Sequence, residues 1–272
     1  MAGMSAEDFV CGRFPLKDHV KPKAFNHRVV KCGDVYEVYD YEKPVFTGFS
    51  SNGGRHNSVN TTDEVKELNR EKALARTRKD IRNIINCNFD KYGERSKFLT
   101  LTFGDDVTDL TYAYKCFTDF VKRLNYQVFD SKKSLLKYTC VPEIQWERFE
   151  KYGVKVWHFH VVLYNLPWTR QSVLQDIWGN GHVWVNVVDD VDNVGAYICK
   201  YITKESAGEL VGKKSVSNSR GLYKPVEIKD KKKVSEVVAH LETDKSYVLK
   251  YQNTYTNDYT GGTVYSQYIK RK

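Results

Sequence analysis

The sequence predicts an α+β fold around one central antiparallel sheet, on three observations. Four segments between residues 98 and 188 alternate polar and apolar side chains with the period of two of a half-buried strand. Segments of helical periodicity fall between them. All four strands turn polar, chemically capable side chains away from a shared apolar face, which places those groups on one surface.

Taken in order, Phe98–Phe103 (FLTLTF) alternates as a strand, and 109–124 has the apolar spacing of a helix. Residues 135–146 alternate again, and 154–164 follow after a turn expected near Tyr152-Gly153. A helix over 169–178, a strand over 182–188 and a helix over 192–204 complete the series, with Asp192 or Asn193 able to cap the last. The order β-α-β-β-α-β-α is that of a ferredoxin-like or RNA-recognition-motif-like core. Sorted by parity, the apolar face holds Leu99, Leu101 and Phe103; Leu136, Tyr138, Cys140, Ile144 and Trp146; Trp157, Phe159, Val161 and Leu163; and Val183, Val185 and Val187. Opposite them lie Thr100 and Thr102; Lys137, Thr139, Glu143 and Gln145; His158 and His160; and His182 and Asn186.

Extensions flank this core. Residues 1–60 form an irregular N-terminal extension with a hairpin about Cys32-Gly33-Asp34 and a loop over 50–60. The central domain spans 61–210 and opens on a helix over 61–87, capped by Thr61 or Thr62. Its apolar set is thin (Val65, Leu68, Ile81, Ile84), and Arg76, Arg78, Lys79 and Arg82 stand among its cations. Two readings stand for these cations: a solvated face, or contacts to nucleic-acid phosphates. Residues 211–272 form a C-terminal extension, with a charged helix start or turn at 229–233 and two short strands about Gly261-Gly262.

Composition narrows the class. Hydrophobic residues make up 41% of the 272, enough for a sizeable core. No apolar run approaches the length needed to span a bilayer, and residues 1–10 lack the pattern of a secretory signal, so a cytoplasmic protein without a membrane partner is expected. Cysteines at 11, 32, 87, 116, 140 and 199 include no CxxC pair, which argues against a zinc ribbon or a disulfide framework. The net charge of +9 favours polyanionic partners, and 19 Tyr, 13 Phe and 5 Trp offer surfaces on which single-stranded bases can stack.

Two constellations carry chemistry. In His158-Phe159-His160 both imidazoles leave the strand on one side, and the preceding strand brings Glu143 alongside. Two imidazoles and a carboxylate with open positions suit Mn²⁺ or Mg²⁺ at a phosphate. Glu147 and Glu150 are alternatives to Glu143, because the connection to His158 is longer than a short turn. The second constellation is YICKYITK at 197–204, where Tyr197 and Tyr201 lie one helical turn apart with Lys200 and Lys204 beside them. Periodicity alone makes the tyrosines border residues of an amphipathic helix. Their other reading is as nucleophiles toward a phosphate, with lysine charge stabilising the transition state. Residues 207–214 approach a phosphate-binding loop, but Lys214 stands where Ser or Thr must ligate Mg²⁺.

FLTLTF, His158-Phe159-His160 and YICKYITK, in that order, resemble the three motifs of the HUH endonucleases, specifically the rolling-circle replication initiators of plasmids and phages with two tyrosines. Val141-Pro142-Glu143-Ile144-Gln145 is similar to the segment that carries the third metal ligand. The resemblance implies that 61–210 is a catalytic domain that nicks single-stranded or locally melted origin DNA. Glu143, His158 and His160 would hold the metal, and Tyr197 or Tyr201 would attack, leaving a 5′-phosphotyrosine and a 3′-OH primer. A host helicase and polymerase are the implied partners. A transposase or mobilisation relaxase shares these motifs, and a non-catalytic RNA-recognition-like binder is the reading from another class.

Overall fold

Alternation along residues 97–186 becomes an antiparallel sheet in the computed structural model, which describes residues 23–48, 62–186, 193–200, 209–210 and 215–271. The chain divides into two compact units, Leu68–Lys224 and Met1–Glu67 with Pro225–Lys272. In the first, β3 (Lys97–Thr102), β4 (Tyr138–Ile144), β5 (Trp157–Leu163), β6 (Val183–Asn186) and the short β7 (Ser217–Asn218) lie in the order β6-β3-β5-β4-β7. The first four strands are thus ordered as in a ferredoxin-like core.

Helices α2 (Leu110–Phe129) and α4 (Gln171–Trp178) fall between these strands. Asp109 caps α2 by accepting from the amides of Thr111 and Tyr112. Leu101, Phe103, Phe159 and Val161 of the sheet join Phe117, Phe120 and Leu124 of α2 and Trp178 of α4 in one core. Each such side chain contributes about 1.5–3 kcal/mol when fully buried. The Trp178 indole N–H donates to the carbonyl of Thr102 (2.8 Å), so its polar edge is satisfied inside that core.

Two expectations need correcting. The turn between β4 and β5 is a short helix, α3 (Trp146–Tyr152), so Trp146 leaves the strand. Trp146 and Phe149 are spaced i, i+3 and their rings meet at 5.4 Å on one helix face. Gly153 ends the helix at φ 72°, a left-handed conformation that glycine adopts without steric cost. The opposite sheet face is also less polar than parity suggested. Phe98, Val141 and Val162 share it with the histidines and form a second core with Ile81 and Ile85 of α1 (Asp63–Asn88), Tyr164, and Val194 and Ile198 of α5 (Val194–Cys199). Val65 and Leu68 of α1 are exposed, and Ile85 replaces Ile84 in the contact stripe.

The second unit is also a five-stranded antiparallel sheet, ordered β8-β1-β2-β10-β9. Strands β1 (Lys23–Cys32) and β2 (Val35–Thr47) form the expected hairpin, with Gly33 at φ 62°. β8 (Val226–Ile228), β9 (Tyr247–Asn257) and β10 (Gly261–Lys270) come from the C-terminal segment, and the β9–β10 turn precedes the Gly-Gly pair instead of containing it. Helix α6 (Lys231–Thr243), capped by Asp230, packs Val234 and Leu241 on Val29, Val38 and Tyr268. The N- and C-terminal segments, separate in the sequence, therefore share one sheet.

Candidate active site

The register of β4 and β5 pairs Glu143 directly with His158 and Val141 with His160. Paired residues of antiparallel strands point to the same side, so the carboxylate and both imidazoles converge. Glu143 Oε2 lies 2.7 Å from His160 Nε2 and 2.9 Å from His158 Nε2. The three donor atoms fall within 4.8 Å of one another, and Glu143 and His160 are buried. Burial alone would raise the Glu143 pKa, but the hydrogen bonds and charge of the two histidines outweigh it and hold the carboxyl below its usual range. Burial lowers the pKa of His160 against the opposing pull of Glu143, which favours the neutral imidazole that a metal requires.

On the other side of His160, Thr100 Oγ1 lies 3.2 Å from Nδ1. With Nδ1–H donating to that hydroxyl, the Nε2 lone pair points to the centre of the cluster, as an orienting outer contact does in metal sites. Two neutral nitrogens and one carboxylate fit a divalent cation and leave coordination positions open. Glu147 and Glu150, the alternative ligands, sit exposed on or beside the turns of α3 and belong to no such cluster among the described residues.

Tyr197 lies on α5, which is placed by contacts that sequence reasoning missed. Asn193 caps the helix, its side chain accepting from the Ala196 amide (2.9 Å). Asn86 of α1 donates to the Asn193 side chain (2.9 Å) and accepts from the Gly195 amide (2.8 Å). A methyl group on Gly195 would collide with the Arg82 carbonyl and Asn86, so only glycine permits the two helices this close. The available signal was the set of asparagines in α1: Asn83, Asn86 and Asn88 are buried where a solvated helix would expose them.

Half-buried Tyr197 stands edge-on to Phe98 at 6.5 Å between ring centres, and Phe98 stacks on His160 at 5.6 Å and 11°. One aromatic ring thus separates the tyrosine from a candidate metal ligand. The Lys200 ammonium sits 3.8 Å from the centre of the Tyr197 ring, and its charge adds to the depression of the His160 pKa. Tyr201 and Lys204 lie outside the described residues. Of the basic set on α1, Arg76 is exposed, whereas Arg78, Lys79 and Arg82 are half-buried. The Arg78 carbonyl accepts from the Cys199 thiol (3.1 Å), so that stretch of α1 meets the tyrosine helix.

Residues 96–206 match the replication-associated protein ORF2 family. This matched segment runs from the start of β3 through α5 and takes in the histidine pair, Glu143 and both tyrosines, in less than half of the chain. No curated protein and no solved structure matches the chain. Among the described residues no helix is long and apolar enough to cross a membrane.

Proposed function

We propose that this protein is a replication initiator that nicks single-stranded DNA at an origin and keeps the cut strand on a tyrosine. The observation that carries the reading is the convergence of Glu143, His158 and His160 one aromatic ring from Tyr197, inside a segment similar to replication-associated proteins. Glu143, His158 and His160 hold a divalent metal, Mn²⁺ or Mg²⁺. When bound, that ion supplies positive charge to polarise the scissile phosphate.

The hydroxyl of Tyr197 or Tyr201 gives up its proton and attacks the phosphorus, forming a phosphotyrosine at the 5′ end. The bond to the 3′ oxygen breaks, that oxygen takes a proton, and the free 3′-OH primes synthesis. Bond energy is retained in the ester, so rejoining by a second tyrosine needs no nucleotide hydrolysis. Lys200 and Lys204 steady negative charge on the phosphate, and Arg76, Arg78, Lys79 and Arg82 of α1 contribute cations toward the DNA. A host helicase and polymerase extend the primed strand.

The test is incubation with single-stranded candidate origin DNA and Mn²⁺, followed by denaturing electrophoresis. A covalent adduct resistant to detergent is expected, with mass spectrometry placing it on Tyr197 or Tyr201. Each single Phe variant retains some cleavage, and Tyr197→Phe with Tyr201→Phe loses all adduct. Nicking by that double variant at the wild-type rate overturns the mechanism.

A further inference from the structure

We infer that the β6 edge of the site sheet is a stacking track for single-stranded DNA, with Trp184 receiving the base nearest the metal ligands. The inference rests on the DNA-nicking reading above for its substrate. Trp184 pairs with Thr100, and Thr100 pairs with His160, so all three lie in one row on one face. Two strand spacings put the Trp184 backbone roughly 10 Å from that of His160.

The cover over this face stops short of Trp184. Phe98 and Val162 are roofed by α1 and α5, but the Trp184 indole is 59% exposed, and Asn186, paired with Phe98, is exposed beside it. Tryptophan is rarely left in water on a strand that has an apolar core to enter. Beyond Asn186 a cleft of about 390 Å³ opens, lined also by Arg95, Lys97, Phe89 and Trp168, whose indole is 78% exposed. Two open indoles with amide and cationic groups between them suit unpaired bases, which offer a free π-face and polar edges. An apolar protein partner would leave Asn186 and Arg95 poorly matched, and a duplex has no free base faces to stack.

Binding is read by anisotropy of a fluorescein-labelled oligothymidylate of about 16 nucleotides, a length within single-strand site sizes. EDTA keeps cleavage out of the measurement. Trp184→Ala is expected to weaken binding about tenfold, the order of one stacked base. Trp184→Phe should recover most of it, and Trp168→Ala should cost less. Mn²⁺ affinity should be unchanged in all three, which reports an intact site. A loss under about twofold for Trp184→Ala, an equal loss on blunt duplex, or a Phe variant as weak as Ala overturns the track. Oligonucleotide binding through Trp184 without any tyrosine adduct overturns the nicking reading alone. Adduct formation with binding indifferent to Trp184 overturns this inference alone.

Discussion

Each of the two sheets buries a glutamate, and the partners of the two carboxylates set them apart. Glu143 meets His158 and His160, whose ring nitrogens can give up a proton and offer a lone pair. Glu37, fully buried on β2, instead accepts from the hydroxyls of Tyr39 (2.7 Å) and Tyr265 (3.3 Å), with the Arg28 guanidinium 4.3 Å above the Tyr39 ring. Burial, reinforced by the Glu37 charge, pushes the Tyr39 pKa far above its ordinary value, so that phenol remains a donor. A carboxylate ringed by fixed donors is a structural tie. One ringed by imidazoles can exchange its partners for a cation.

The comparison breaks or sharpens on three substitutions. The largest effect is expected from Glu143→Ala, which removes a ligand and not an outer contact. Mn²⁺-dependent nicking should fall by more than the roughly 100-fold known for outer-contact changes, while thermal unfolding without metal shifts little. Retained nicking would give the third ligand to another residue. Next comes Gly195→Ala. Its methyl group drives α5 off α1, and misplacement of the tyrosine by about 1 Å costs on the order of 100-fold in rate. Calorimetric Mn²⁺ binding should stay as in the wild type; a parallel loss of metal affinity would show that the helix supports the ligands too. Glu37→Ala should do least to nicking per folded molecule. It leaves two phenols without their acceptor at about 1–3 kcal/mol, seen as a fall in melting temperature of roughly 5 °C. A specific activity reduced as much as by Glu143→Ala would erase the distinction between the two carboxylates.

The site sheet was legible in the sequence because each strand carries its own record of burial. The parity of Leu99, Leu101 and Phe103 against Thr100 and Thr102, and of Phe159 against His158 and His160, is local and survives into the structure. What parity concealed was the second core. Phe98, Val141 and Val162 share a face with the polar groups, and strands buried on both sides lose their clean alternation. The helix α3 was missed because Trp146 continues the even-numbered apolar series of β4, although its partner Phe149 lies at helical spacing. The placement of α5 was hidden for a different reason. Asn86 and Gly195 act through a contact spanning 109 positions, and no local pattern names a distant partner. The same holds for β2 and β10, whose pairing joins the two terminal extensions.

That last pairing orders events during synthesis. Glu37 and Tyr265 stand 228 positions apart, so the central strand pair of the tyrosine-bearing sheet cannot close until almost all of the described chain has left the ribosome. The segment similar to replication-associated proteins, by contrast, has its four main strands translated by residue 186. Domains form as units while the chain emerges, so the nascent protein passes through an interval in which the metal ligands can assemble while β1 and β2 still wait for their neighbour. During that interval β2 presents an unpaired hydrogen-bonding edge, and Asp40 and Glu42 place charges along it, which discourages premature pairing with another nascent chain.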